Sequence, residues 1–194
     1  MNLLGSGLHL AKHHEDALSV QEAQLATMRR LGESEGNILA VQTNLSCSYR
    51  MLGRDEEALS MRRDIYSGRL KLDGEQNERT LIAAKNYATS LKDLSRFEEA
   101  KALLRKEIPV TRRVLGESND LTLKMRWVYA ETLVKDPAAT FDDLHEAVTT
   151  LEDAGRTARR VLGGAHPLTV EIERGLQKSR AVLRARETQP SASA

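Results

Sequence analysis

The chain has 194 residues, of which 29 are Lys or Arg and 28 are Asp or Glu, so its formal net charge is only +1. A charge this close to zero argues against a general nucleic-acid or anionic-membrane binder, because both partners select basic surfaces. Aromatic residues make up 4% of the chain, which is too few for a typical β-sandwich, and only four prolines interrupt the sequence. Composition therefore predicts an all-α protein.

A single cysteine, Cys47, excludes an internal disulfide and any cysteine-based zinc finger. The first residues lack the basic start and apolar core of a signal peptide. No window approaches 18 uncharged apolar residues, the length needed to cross a membrane as a helix. We therefore expect a protein of the reducing cytoplasm, without a membrane partner.

The sequence repeats itself at intervals close to 42 residues, which is the period of a repeat architecture. A glycine follows Leu or Leu-Asp in each copy, at spacings of 42, 42 and 47 residues: Gly32, Gly74, Gly116 and Gly163. A small residue lies 16 positions before the later glycines, where two helices could approach closely: Ala58, Ala100 and Ala147. We expect all three alanines to be buried.

Each repeat contains two stretches with apolar residues at three- and four-residue steps, which is typical of amphipathic helices. In chain order the pattern predicts a short helix remnant at 3–10, then helices at about 13–30, 37–51, 55–71, 78–93, 96–114, 120–135, 141–161 and 167–186. Asn77, Asn119 and His166 are expected at helix starts, and the repeat glycines in the αL conformation at helix ends. Pro109 should kink or split its helix.

A helix pair repeated at a fixed period buries its apolar faces against its neighbours, so the pattern predicts a right-handed α-solenoid of antiparallel helix pairs. We expect one array over 1–187, followed by a disordered tail at 188–194. Within the array we assign a partial first repeat, three repeats and a C-terminal capping helix, at about 2–32, 33–74, 75–116, 117–163 and 167–187. The five extra residues of the longest interval fall at 135–139, in a loop between helices.

Several segments together resemble the tetratricopeptide repeat (TPR) of the 42-residue kinesin light chain type. They are Leu162 to Thr169 (Leu-Gly-Gly-Ala-His-Pro-Leu-Thr), Asn44-Leu45-Ser46, Asn86-Tyr87-Ala88, Arg54 to Leu59 and Arg96 to Ala100. The His-Pro pair of that family is present only in the last copy. The heptad coiled coil with which kinesin light chains bind the motor heavy chain has no counterpart here, so we do not expect motor association.

This resemblance implies an interaction module whose concave groove is lined by the first helix of each pair. Asn44 and Asn86 match the family asparagines that hydrogen-bond the backbone of a bound peptide. The candidate groove positions are Thr43, Asn44, Cys47, Arg50, Lys85, Asn86, Thr89, Lys92, Lys124, Trp127, Val128, Glu131, Arg174 and Lys178. They lean basic, so we expect an acidic segment of another protein as the ligand. Trp127 is interpreted either as an anchor pocket or as core.

No set of residues in the sequence points to catalysis. His9 and His13 are four residues apart and could share a helix face as metal ligands, but a surface role explains them without a third ligand. Cys47 lacks a neighbouring base, and the repeat glycines match no phosphate-binding loop. We therefore expect no catalytic residue, no metal and no cofactor.

Paired arginines recur just before the repeat glycines, at 29–30, 112–113 and 159–160. Cations are favoured at helix C-termini, which accounts for these pairs, although a basic ridge along one edge is an alternative. The sequence thus favours a non-catalytic scaffold that binds a peptide and no nucleic acid. The alternative is an interaction fragment of a larger enzyme or signalling protein whose catalytic part lies outside this chain.

Overall fold

The computed structural model describes the backbone of residues 2–188 and the side chains of residues 15–188. Within this part of the chain there are eight α-helices and no strand. They are α1 (Asn2–Arg30), α2 (Glu35–Met51), α3 (Asp55–Asp73), α4 (Glu78–Asp93), α5 (Phe97–Leu115), α6 (Asp120–Lys135), α7 (Phe141–Leu162) and α8 (Pro167–Thr188). The predicted all-α class is confirmed, and from α2 onward the predicted bounds agree within about two residues.

Contacts between residues divide the chain into two compact units, Met1–Ser90 and Leu91–Ala194, and the division falls within α4. In the first unit α1 packs on α2 and α2 packs on α3. Its core includes Leu18, Leu25, Leu45 and Tyr49. In the second unit α5, α6, α7 and α8 pack in succession, and Leu104, Leu123, Leu133, Leu151 and Ile172 are fully buried there.

The three alanines that lie 16 residues before the repeat glycines are fully buried. Ala58, Ala100 and Ala147 are each 0% exposed, as the repeat alignment predicts. Because protein interiors are closely packed, we expect a side chain larger than a methyl group to crowd the neighbouring helices at these positions.

The predicted helix starts are confirmed. Asn119 is the N-cap of α6, and its side chain accepts a hydrogen bond from the backbone N–H of Leu121. The side chains of Asn77 and His166 accept bonds from backbone N–H groups in the first turns of α4 and α8 in the same way. These side chains satisfy donors that have no partner inside the helix.

Three predictions about helix boundaries were wrong in detail. Residues 3–10 and 13–30 form one helix, α1, because Ala11 and Lys12 favour helix and nothing ends it there. The helix α5 continues through Pro109, so the predicted split does not occur, while the alternative, a kink, stays a prediction; Pro109 lies on the exposed side of the helix. Thr188, the first residue of the expected tail, is still helical; the rest of that tail lies outside the described residues.

The repeat glycines have positive φ, but those that end α3, α5 and α7 are not in the αL conformation. Gly116 has φ 88° and ψ 164°, and Gly74 and Gly163 lie close to the same values. This region is essentially restricted to glycine, because a Cβ atom would strain the backbone there. Glycine is therefore required at these three helix ends by a backbone conformation other than the predicted αL.

A left-handed residue at Ser95 offers a simple test of the repeat alignment. Ser95 has φ 60°, and Gly53 occupies the matching turn of the preceding repeat with φ 72°. Since αL costs a residue with a Cβ atom about 1–2 kcal/mol, we expect Ser95→Gly to stabilise the fold by about 1 kcal/mol. Chemical denaturation measures this change, and Gly53→Ser should shift the free energy of unfolding in the opposite direction. Equal stabilities for wild type and Ser95→Gly would contradict the strain.

Candidate functional site

A pocket of about 310 Å³ opens in the first unit, between α2, α3 and α4. It brings together three of the predicted groove residues, Thr43 and Asn44 on α2 and Asn86 on α4. Its other lining residues are Ala40, Ser46, Arg62, Ile65, Arg69, Arg79, Ile82 and Ala83. The pocket thus combines two amides, an apolar wall and three arginines in one concave site.

Two of these arginines are buried, and the sequence analysis missed both. Arg62 donates from one Nη1 atom to the Asn86 carbonyl at 3.2 Å and to Ser90 Oγ at 2.8 Å. Arg69 donates to the Gly36 carbonyl and pairs with Asp73, each at 3.1 Å. Their burial could have been predicted from their spacing, because Arg62 and Arg69 lie three residues before and four residues after buried Ile65 on α3.

The third arginine, Arg79, is exposed in the first turn of α4 and lines the same pocket. Unlike the two buried arginines, it can approach a ligand without losing a structural role. It was not among the groove residues predicted from the sequence. It is the lining residue best placed to set the charge preference of this pocket.

Four other positions predicted for the first unit do not line the pocket: Cys47, Arg50, Lys85 and Thr89. Two predicted threonines, one inside the pocket and one outside it, use their hydroxyl groups within their own helices. Thr43 Oγ1 donates to the Leu39 carbonyl and Thr89 Oγ1 to the Lys85 carbonyl, both at 2.8 Å. Cys47 and Arg50 are exposed, and Lys85 is half-buried. Thr43 therefore forms part of the pocket wall, but its hydroxyl proton is already donated to the Leu39 carbonyl.

In the second unit the predicted groove residue Lys92 is buried and engaged. It is 7% exposed, its Nζ lies 2.6 Å from Glu131 Oε2, and it stands 6.0 Å from the centre of the Trp127 ring. A nearby indole face also attracts an ammonium group. Lys92 and Glu131 therefore form an internal ion pair instead of presenting two separate charges to a ligand.

Val128 is a second predicted groove residue that is buried, and it is apolar. It is 3% exposed and belongs to the core of the second unit, so its assignment to the groove was wrong. The sequence was ambiguous here, because Val128 and half-buried Trp127 are neighbours on α6 and only their packing separates core from surface.

Trp127 packs toward α8 at Gly175. A Cβ atom at Gly175 would lie 3.3 Å from the indole Nε1, which is tighter than nearly all real contacts. That Nε1 atom is buried and has no hydrogen-bond partner among the described residues. Gly175 occupies the repeat column that holds Asn44 and Asn86 earlier in the chain, so in this unit the ring takes space that a side chain would need.

Of the other three basic positions predicted in this unit, two have acidic partners on their own helices. Lys124 Nζ lies 2.6 Å from Asp120 Oδ2, and Arg174 pairs with Glu171. Lys178 is exposed. These pairs reduce the positive excess that the sequence predicts, although exposed pairs of this kind hold each other weakly.

The described residues offer neither a metal site nor a membrane span. No group of three or more His, Cys, Asp or Glu there could hold a metal ion. The side chains of His9 and His13 lie outside the part of the chain whose side chains are described. None of the described helices is long and apolar enough to cross a membrane.

Comparison with solved structures identifies the architecture. The chain is similar to the TPR-like repeats of a kinesin light chain-type protein from Podosopora anserina, with TM-score 0.70, 20% identity, and coverage of 98% of this chain and 97% of that one. A single-substitution variant of those repeats gives TM-score 0.76, 19% identity, and coverage of 95% and 88%. BtubC (BKLC) from P. vanneervenii gives TM-score 0.60, 14% identity, and coverage of 94% and 79%.

No family model and no curated protein matches the chain. At identities of 14 to 20% the structural likeness shows the fold, and it spans nearly the whole chain. The chain therefore has the fold of TPR-like repeats of the kinesin light chain type, an α-solenoid of antiparallel helix pairs, as the sequence predicts. Solenoids of this class present extended concave surfaces of the kind that interaction scaffolds use.

Proposed function

We propose that this chain is a non-catalytic interaction scaffold whose first unit binds an acidic segment of another protein. The observation that carries the proposal is the pocket between α2, α3 and α4, which is lined by Asn44 from α2 and Asn86 from α4. Amide side chains both donate and accept hydrogen bonds, so such a pair can hold the backbone of an extended peptide. This is the role that the kinesin light chain resemblance implies for these two asparagines.

The charge preference rests on Arg79, which is exposed at the pocket. Buried Arg62 lines the same pocket and adds positive charge, although it is used in structural hydrogen bonds, whereas the charge of Arg69 is balanced by Asp73. In a concave site such charges raise the local concentration of a negative partner and speed its association. An acidic segment therefore suits the site better than a basic one.

An apolar patch of the pocket supports one large anchor side chain in the ligand. Ala40, Ile65, Ile82 and Ala83 line this part of the pocket. Burial of an apolar side chain here would supply affinity, because exposed ion pairs alone contribute only about 0–1 kcal/mol each.

We propose repeat boundaries at 33–74, 75–116 and 117–163 for the array that presents the pocket, and the cytoplasm as its compartment.

The test is a titration of a labelled peptide that carries one aromatic residue among Asp and Glu, followed by fluorescence anisotropy. Replacing Asn44 and Asn86 together by alanine should weaken binding by about tenfold or more, because two peptide hydrogen bonds are lost. Gln24→Ala is the matched control, since Gln24 is an exposed amide on α1 outside the pocket. Equal affinities for the double variant and wild type would contradict the proposal.

Charge reversal tests the acidic preference separately. We expect Arg79→Glu to weaken the acidic peptide by about tenfold while leaving a neutral peptide of the same length almost unchanged. Arg63→Glu is the control, because Arg63 is exposed on α3 but does not line the pocket. Affinity for the acidic peptide should also fall as salt rises. A basic peptide that binds as tightly as the acidic one would exclude this ligand class.

A further inference from the structure

The second unit contains a pocket of different chemistry, rich in arginine and built from none of the predicted groove residues. It has a volume of about 540 Å³ and lies between α5, α6 and α7. Its lining residues are Arg112, Glu117, Arg126, Asp153, Arg156, Thr157 and Arg160. Four arginines against two carboxylates leave the lining with a net charge of +2. Two of the arginines, Arg112 and Arg160, belong to the pairs that recur before the repeat glycines.

Arg126 is the least exposed of the four arginines in this pocket, and its carboxylate partners are not within hydrogen-bond distance. Its side chain is 12% exposed, and its closest carboxylate contacts are 3.7 Å to Glu117 and 3.8 Å to Asp153. Both distances exceed a hydrogen bond. Within the described residues, the guanidinium of Arg126 donates one hydrogen bond, from Nη2 to the Thr150 carbonyl at 3.3 Å.

The two carboxylates bind other arginines more closely. Glu117 makes a close ion pair with exposed Arg112, and Asp153 makes one with exposed Arg156. Burial lowers the pKa of Arg126, and Arg112 lowers it further, while Glu117 and Asp153 raise it. The guanidinium nevertheless stays charged at neutral pH, as arginines in proteins do. A mostly buried cation, whose two carboxylate partners lie 3.7 and 3.8 Å away and pair more closely with other arginines, therefore lines an open pocket that holds three further cations.

We propose that this pocket binds a phosphate group, the dianion of a phosphate monoester. A dianion matches the +2 lining charge, and its oxygens can accept paired hydrogen bonds from planar guanidinium groups. The pocket supplies such groups from three helices, and the hydroxyl of Thr157 adds a donor beside them. A carboxylate carries only one charge, so it would leave the site half neutralised.

The charge balance of the chain favours a single phosphate group over a nucleic-acid backbone, because the formal net charge of the whole chain is only +1. Acidic side chains flank the pocket, with Glu146 on one side and Glu152 and Glu173 beside neighbouring Arg156 on the other. Each of these carboxylates pairs with an arginine, Glu146 with Arg105, Glu152 with Arg180 and Glu173 with Arg159, so the flanks do not add the extended positive surface that a chain of phosphates selects. The phosphate can reach the pocket free in solution or attached to a serine or threonine of a protein.

Binding is measured on the full chain by NMR, following the arginine side-chain signals during titration with inorganic phosphate, with sodium chloride at matched ionic strength as the reference. We expect the Arg126 and Arg156 signals to shift and saturate with phosphate and not with chloride, and more strongly above the second pKa of phosphate than below it. A titration without saturation, or one that chloride reproduces, would overturn the proposal.

Two further ligands distinguish the source of the phosphate group. A serine-phosphorylated peptide that binds more tightly than inorganic phosphate, while its unphosphorylated form does not bind, would support a protein-borne phosphate. Equal affinity for inorganic phosphate and the phosphopeptide would support the free anion. An oligonucleotide that binds where neither phosphate probe does would overturn the monoester site.

Variants separate a built site from general charge. We expect Arg156→Gln to weaken phosphate binding by about tenfold, and Arg126→Gln by at least as much if it folds. Arg113→Gln is the matched control: Arg113 is exposed on α5 next to Arg112 but does not line the pocket. Asp153→Asn should strengthen binding several-fold, because it releases Arg126 and Arg156 and raises the lining charge to +3. Equal losses in Arg113→Gln and Arg156→Gln, or no gain in Asp153→Asn, would contradict a defined site.

Discussion

Lys101→Met should destabilise the second unit by about 3 kcal/mol, the largest single loss that we expect in this chain. Lys101 and Asp136 are 5% and 7% exposed, and their charged atoms lie 2.8 Å apart. Removing the ammonium group leaves a buried carboxylate that still accepts a hydrogen bond from the Ala138 backbone N–H at 2.8 Å but has lost its counter-ion. Urea denaturation at pH 7 measures the loss, and Lys135→Met is the control, since Lys135 is exposed in the same region.

The pH dependence of this loss has a definite sign. Although burial opposes ionisation, the hydrogen bonds with Lys101 and the Ala138 N–H hold the pKa of Asp136 below its usual value. Its contribution in wild type is therefore present above the unfolded pKa of about 4 and is lost as the pH falls through the lower folded value. Burial likewise opposes the charge of Lys101, but Asp136 and Glu98 raise its pKa, so its contribution persists until the pH rises beyond about 10.

In Lys101→Met the attraction of the ammonium group no longer offsets burial at Asp136, so the folded pKa of Asp136 should rise instead of fall. The stability difference between wild type and variant should therefore be largest near neutral pH and should shrink as the pH falls toward 4. A second substitution, Asp136→Asn, removes the buried charge but keeps an acceptor for Ala138. We expect Lys101→Met with Asp136→Asn to be more stable than Lys101→Met alone. A pH-independent loss, or no rescue by the second change, would contradict the role of the buried charge.

This ion pair illustrates what the sequence alone did not predict. In the sequence, residues 135–139 are interpreted as an insertion in a loop between helices, which costs little stability and lengthens one repeat interval from 42 to 47 residues. Nothing in their spacing shows that the loop carries Asp136 back to Lys101, which lies 35 residues earlier. Long-range pairs of charged residues leave no periodic signal, so only the folded chain places them together.

The fold itself was predictable for a physical reason. Helix propensity, three- and four-residue apolar spacing, capping residues and the glycine column all repeat with one period, and each copy reinforces the same interpretation. Thr140, however, forms a capping box with Asp143 at the start of α7 that the sequence analysis did not predict. Helix propensity and apolar spacing thus predict where the helices lie, whereas the capping interaction that begins each helix depends on the particular residues at its start.

The candidate site was predicted only in part, because a helix register gives a face but not the depth of each side chain. Asn44 and Asn86 meet at one pocket, as their matching repeat positions suggest. Val128 occupies the same repeat position and is part of the core, and Gly175 occupies it beside the Trp127 indole. A single indole thus changes the use of a repeat position, which no average over repeats can reveal.

Ala100→Leu should lower the free energy of unfolding by about 1–3 kcal/mol, because α5 has no room for three more carbon atoms at this position. Ala100 is 0% exposed and stands in the column shared with Ala58 and Ala147. The added side chain must either leave its preferred rotamer or push α5 away from its neighbours. For a protein of this size the loss corresponds to a drop of about 2–4 °C in melting temperature for each kcal/mol, which calorimetry measures.

The same helix supplies a matched control for this change. Ala102 lies two residues away on the exposed face of α5, so Ala102→Leu adds the same atoms where there is space for them. Leucine and alanine are both good helix formers, so helix propensity predicts a change well below about 1 kcal/mol at either site. A difference between the two variants therefore isolates the crowding between helices. If Ala100→Leu melts at the same temperature as Ala102→Leu, the alanine column does not set the helix spacing, and the repeat alignment built on it fails at that position.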